Sequence, residues 1–169
     1  MTSFRGFGSK FGCASALATT VLIVFLVSSC RVGYSFRGPG YDADRGVVHQ
    51  DAQRQVFVAV TRGDLEAGSQ SEFANELRAV MDSMSEHDGL VGYSVRKELF
   101  GSRVWTMSVW IDRASMERFV HSAAHRRAMA SGTIARGSFI TAAAVMNTSS
   151  TPPGWAEAGR MLESRARQE

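Results

Sequence analysis

The chain has 169 residues, which suits one domain with extensions at its ends. It carries 19 Lys and Arg against 16 Asp and Glu, but Arg5 and Lys10 fall in the first 29 residues, where no acid occurs. The remainder is close to neutral and has no basic run, so the sequence pI of 9.2 does not point to nucleic acid as a partner.

In chain order, residues 1–13 are basic and residues 14–27 are uncharged, ending V-L-I-V-F-L-V. That apolar run is short of the roughly 18–20 residues a membrane span needs. A basic start, a short apolar core and small residues after it form a secretory signal pattern. Val27-Ser28-Ser29-Cys30 then resembles the lipobox of bacterial lipoproteins. The resemblance implies cleavage before Cys30 and lipidation of it. Residues 1–29 are then a signal peptide, and the protein is an extracytoplasmic, membrane-anchored lipoprotein of the periplasm or cell surface. The alternative is an uncleaved signal anchor with Cys30 as a bystander. Cys13 and Cys30 are the chain's two cysteines, so after processing no thiol is left for a disulfide, a nucleophile or a metal site. Residues 30–54 hold Gly33, Gly38, Pro39, Gly40 and Gly46 without any period, which predicts a flexible tether.

The domain is expected over residues 55–147. Residues 55–61, Q-V-F-V-A-V-T, read as a first strand. Ser69 and Glu72 form a capping-box pattern ahead of a helix. Its apolar stripe is Phe73, Leu77, Val80, Met81 and Met84, and Gly89 suits the stop after it. Residues 90–99 alternate, with Val91, Tyr93 and Val95 on one side and Gly92, Ser94 and Arg96 on the other. Gly101-Ser102 is read as a tight turn needing positive φ. In residues 104–111, Trp105, Met107, Val109 and Ile111 share one face, and Val104, Thr106, Ser108 and Trp110 the other. Bulk on both faces implies cover on both, by a helix layer and a second sheet.

Asp112 is placed to cap a second helix carrying Met116, Phe119, Val120 and Ala123, with a break expected at Ser122. Residues 138–146 form a fourth strand. The order β-α-β-β-α-β predicts a ferredoxin-like α+β fold with both helices on one face of a four-stranded antiparallel sheet. The other face is left apolar and open, so a homodimer with sheets face to face is expected. Residues 148–154, T-S-S-T-P-P-G, form a link. A short helix is expected over 155–165, with Trp155, Ala158 and Leu162 on one side, either docked on the rim or a partner, or without fixed structure.

The segments G-L-V-G-Y, V-W-T-M-S-V-W and F-V-H-S-A-A-H-R-R-A-M together resemble the antibiotic biosynthesis monooxygenase (ABM) domain superfamily, the dimeric α/β barrels. The resemblance covers about residues 55–147. It implies a cofactor-independent oxidation of an aromatic small molecule, here at the cell envelope. The alternative it carries is a non-catalytic small-molecule or heme-binding lipoprotein of the same fold. Heme-degrading relatives use a helix histidine with a nearby asparagine and tryptophan. His125 matches that histidine, Phe119 stands at the tryptophan position, and residues 55–61 hold no asparagine. Trp110 matches the strand tryptophan of the superfamily. His125 is therefore the expected catalytic residue, with Trp110, Phe119, His121 and Arg96 as expected substrate-binding residues. No metal site is expected: His121 and His125 are four apart, but no acidic third ligand is evident. No cofactor is expected, heme being the open alternative through His125. No Gly-rich phosphate loop or nucleophile elbow is present.

Overall fold

A computed structural model describes residues 31–168. The expected signal peptide and the expected lipidation site, Cys30, lie outside the described residues. The elements are β1 (Arg31–Arg37), β2 (Tyr41–Asp42), β3 (Gly46–Val47), β4 (Gln55–Asp64), α1 (Gln70–Met84), β5 (Leu90–Glu98), β6 (Arg103–Trp110), α2 (Arg113–Val120), α3 (Ala123–Ala130), β7 (Ile140–Asn147), a 3-10 turn (Thr148–Ser150) and α4 (Trp155–Ala166). Among the described residues no helix is long and apolar enough to cross a membrane.

The strands form one antiparallel sheet in the order β1-β5-β6-β4-β7. From β5 to β7 this is the expected ferredoxin-like arrangement, because β4 sits between β6 and β7 with both helical crossovers on one side. Val58 pairs with Val109 on one flank and Ala144 on the other, which fixes the register. Alternation along β4 sends Val56, Val58 and Val60 to one face and Phe57 and Thr61 to the other. On the helical face, Met84, Leu90, Trp110 and Phe119 form one buried cluster.

The opposite face is covered, though not by a second sheet. Ala158 and Leu162 of α4 are fully or nearly fully buried against Val58, Val60, Met107 and Val109, with Trp155 and Met161 beside them. The C-terminal segment is therefore part of the core. A bare sheet face no longer supplies the reason for a homodimer.

The tether expected over residues 30–54 is also corrected. Arg31–Arg37 adds a fifth strand to the sheet, pairing Arg31 with Glu98 and Gly33 with Arg96. Beyond it, β2 and β3 form a small hairpin, and Gly40 N–H donates to the Val91 carbonyl at 3.0 Å. Phe36 and Tyr41 meet edge to face at 4.8 Å and pack onto the α4-side core. The glycines read as linker residues serve close approach instead: a Cβ on Gly33 would strike the Val95 carbonyl, and one on Gly38 the Gly92 backbone.

Three local expectations change for stated reasons. Ser69 does precede α1, but its φ of −85° and ψ of 3° are not the extended geometry a capping box uses. Its hydroxyl donates instead to the Glu66 and Thr133 carbonyls. Gly101 does not have positive φ; a Cβ there would meet the Glu98 carboxylate. An irregularity between Leu90 and Gly92 shifts β5, so Val91 joins the α4-side core while Tyr93 packs on the helical face. Asp112 does cap as expected. It is extended, accepts from Ser115 N–H at 2.7 Å, and that bond holds its carboxyl below the usual carboxylate range. Gly89 has φ of 84°, fitting its role after α1.

Leu162→Ala should cost about 2–5 kcal/mol in urea unfolding, because its side chain is 2% exposed. Leu99→Ala, at a position 47% exposed, should cost at most about 0.5 kcal/mol. Equal midpoints for the two variants would mean that α4 is not docked.

Candidate functional site

The helical layer does not seal the sheet. Between α1, α3 and strands β4, β5 and β6 lies a cavity of about 150 Å³. The predicted stripe of α1, Phe73, Leu77, Val80, Met81 and Met84, forms one wall in full. The floor is more polar: Thr61, Tyr93, Thr106 and Ser108 line it from the strands. Thr61 and Thr106 stand opposite each other in register and share a hydrogen bond between their hydroxyls. The composition is that of a ligand pocket, mostly apolar with a few placed polar groups.

His125 lines this cavity, together with Phe119. Its position follows from a break in the chain. α2 ends at Val120, and Ser122 is extended and caps α3, accepting from His125 N–H at 3.3 Å. The last carbonyls of a helix have no partner within it. His125 Nδ1 lies 3.0 Å from the carbonyl of Val120. A carbonyl only accepts, so Nδ1–H donates and, in the neutral ring, Nε2 carries the lone pair. Burial pushes the His125 imidazole below the usual histidine range. The Val120 bond opposes this and neighbouring His121 adds to it.

The aromatic surroundings are layered. Phe119 meets His125 edge-on at 5.0 Å, and Trp110 stacks behind Phe119 at 5.2 Å and 29°. Trp110 is fully buried, does not line the cavity, and donates its indole N–H to Ser108 Oγ at 3.0 Å. It therefore supports two lining residues rather than touching a ligand. His87 packs against Phe119 from another side at 5.3 Å.

Two expected site residues lie elsewhere. His121 is exposed at the end of α2. The four-residue spacing from His125 would place both on one face only in a continuous helix, and Ser122 interrupts it. Arg96 lies on the other side of the sheet, 5.5 Å over the ring of Trp155. Conversely, Tyr93, Thr61 and the Thr106–Ser108 edge were not singled out. The alternation that grouped Thr106, Ser108 and Trp110 held that signal.

Heme is a poor fit to this cavity. At about 150 Å³ it is below the roughly 300–1,000 Å³ of pockets for drug-sized ligands, and a porphyrin would have to project through its open side. Phe119 at the tryptophan position and a β4 without asparagine agree with that. Among the described residues no group of three or more His, Cys, Asp or Glu is placed to hold a metal ion.

No curated protein matches the chain. Several solved structures resemble it. A conserved protein from Methanosarcina mazei Go1 is 15% identical, covering 56% of this chain and 94% of its own, with a TM-score of 0.47. Protein SO0527 from Shewanella oneidensis is 14% identical over 56% and 93%, with a TM-score of 0.49. A structure described as an antibiotic biosynthesis monooxygenase is 8% identical over 54% and 96%, with a TM-score of 0.46. Likeness at this level says nothing about activity. Residues 56–131, from β4 through α3, match the family model described as antibiotic biosynthesis monooxygenase, ABM. The segment that builds the cavity and carries His125 is thus ABM-like.

Proposed function

We propose that this protein is a cofactor-independent monooxygenase of a single-ring phenolic molecule, with His125 as the base. The observation that carries the reading is the Nδ1–H bond from His125 to Val120 at 3.0 Å, made beside an apolar cavity. That bond fixes which nitrogen accepts a proton. A cavity of roughly 150 Å³ is about the size that admits one benzene ring, so the reading takes a ligand smaller than a polycycle.

The chemistry balances without a cofactor. A phenol with a free para position and O₂ give a para-quinone and water. The substrate loses four electrons; one oxygen atom becomes the new carbonyl and the other leaves as water. The hydroxyl proton passes to His125 Nε2 as the ring gives up its first electron. An ordinary imidazole lies roughly 3.5 pK units below a phenol, so full transfer costs about 5 kcal/mol, and more for the depressed His125. That fits inside the barrier of about 16 kcal/mol that corresponds to a typical turnover of about 10 per second. Tyr93, Thr61 and Thr106 supply hydroxyls to orient the ring, and the stripe of α1 excludes water.

On the same reading the domain works outside the cytoplasm, held by a lipid on Cys30, which the lipobox-like V-S-S-C supports. A homodimer is part of it too. Its support is two exposed apolar side chains at the sheet edge, Phe139 just before β7 at 42% and Val145 within it at 60% exposure.

Oxygen uptake by the purified protein with a panel of single-ring phenols tests the reading. His125→Ala should lower kcat/KM by about 10²–10⁴-fold, while His121→Ala leaves it within about twofold. Absence of uptake with every phenol, alongside a ligand-induced rise in Tm, would instead support a binding protein without turnover.

The pH profile follows from the sign of the His125 shift. The base is active when neutral, so kcat/KM should fall only below the usual histidine range and be flat through neutrality. A rate that still rises across the usual histidine range, roughly pH 6–7, would remove His125 as the base.

A further inference from the structure

On the far side of the sheet from the cavity, residues of three neighbouring strands stand in one row. Arg96 of β5 pairs with Trp105 of β6, and Trp105 pairs with Arg62 of β4. The next position on β1 is Gly33, opposite Arg96. With no side chain at Gly33, Arg31 reaches across and lies 5.1 Å over the Trp105 ring. Arg96 lies 5.5 Å over the ring of Trp155 on α4. Arg31, Arg62, Arg96, Trp105 and Trp155 line a cleft of about 290 Å³ between the sheet and α4.

The charges in the cleft are not balanced. Arg103 also lines it, but its guanidinium is engaged by Asp64 at 3.2 Å and Glu98 at 3.8 Å. Arg31, Arg62 and Arg96 make no ion pair among the described residues. Glu163 is the acid in the lining, and it is exposed. Four guanidiniums against Asp64, Glu98 and Glu163 leave an excess of one positive charge, and Arg62 and Arg96, which have no carboxylate partner among the described residues, are partly buried. The indole faces hold two of the guanidiniums in place, which lowers the ordering cost of binding.

We propose that this cleft is a binding site for a phosphate group, distinct from the ABM-like cavity. The guanidinium fork matches two phosphate oxygens at once, and a phosphate near neutral pH carries up to two negative charges. The cleft is larger than one phosphate, so it admits a phosphate attached to a small organic group. Two sources share this chemistry: a soluble phosphate ester and an anionic lipid headgroup. Arg31 lies four positions after Val27, the end of the apolar run, so on the lipid-anchored reading proposed above it stands close to the anchor.

The test uses the full chain in neutral detergent at low ionic strength, with inorganic phosphate titrated and tryptophan fluorescence read. Saturable binding is expected, weakened at least tenfold in Arg62→Gln/Arg96→Gln and less in Arg62→Lys/Arg96→Lys. Arg113→Gln, which touches a separate exposed pair with Glu117, should bind as the unaltered chain does. If the double Gln variant loses its far-UV circular dichroism, single Arg62→Gln is read in its place. Sedimentation with phosphatidylglycerol against phosphatidylcholine vesicles separates the sources. A preference for phosphatidylglycerol lost in the Gln variant identifies lipid phosphate; phosphate binding without that preference identifies a soluble ester. No saturation by about 10 mM phosphate, or Gln variants that bind like the unaltered chain, overturns the proposal.

Discussion

The structure rests on one constraint: a sheet with apolar side chains on both faces must be covered on both. Val56, Val58, Val60, Met107 and Val109 lie on the face away from α1 and are all buried. Leaving them in water would forgo about 1.5–3 kcal/mol each, which together rivals the whole stability of a typical domain, about 5–15 kcal/mol. The chain meets the constraint twice over. It lays α1, α2 and α3 on one face and brings α4 and residues 36–52 onto the other. Each cover leaves a gap of its own kind. The helical cover is incomplete and apolar, so it leaves a mostly apolar cavity. The α4 cover crosses a row of arginines, so it leaves a cationic cleft.

Much of this was legible in the residues. The β6 alternation separates Trp105, Met107 and Val109 from Thr106, Ser108 and Trp110, and the structure keeps both groups intact. The α1 stripe became the cavity wall, and Asp112 became a cap. What was not legible depends on backbone geometry or on distant partners. Composition cannot tell a glycine that flexes from one that lets two strands touch, so Gly33 and Gly38 looked like tether residues. A serine caps only from an extended backbone, and Ser69 does not have one. The docking of α4 depends on contacts with β4, which lies some ninety residues away in sequence, as well as with neighbouring β7.

Arg96 illustrates a different kind of miss. Alternation along β5 correctly set it apart from Tyr93 and Val95. Since Tyr93 and Val95 point into the cavity, Arg96 cannot, and its neighbour across the ladder is Trp105 rather than Thr106. Its position was readable; the face that holds the cavity was not, because that depends on where the helices land. His121 failed for a local reason. The spacing rule that joined it to His125 assumes an unbroken helix, and the Ser122 cap ends that assumption.

The same break explains why His125 has the chemistry it has. Interrupting a helix leaves carbonyls without partners, and a buried unpaired carbonyl costs about 1–3 kcal/mol. The His125 ring answers the Val120 carbonyl, and it can do so only with the proton on Nδ1. The other tautomer would set two lone pairs against each other. One hydrogen bond therefore closes α2 and leaves Nε2 as the proton acceptor, while partial burial keeps the ring uncharged near neutrality. A histidine on a continuous helix, with no exposed carbonyl to answer, would be free to take either tautomer. The interruption at Ser122 is thus what turns a packing residue at the cavity wall into one with a defined basic nitrogen.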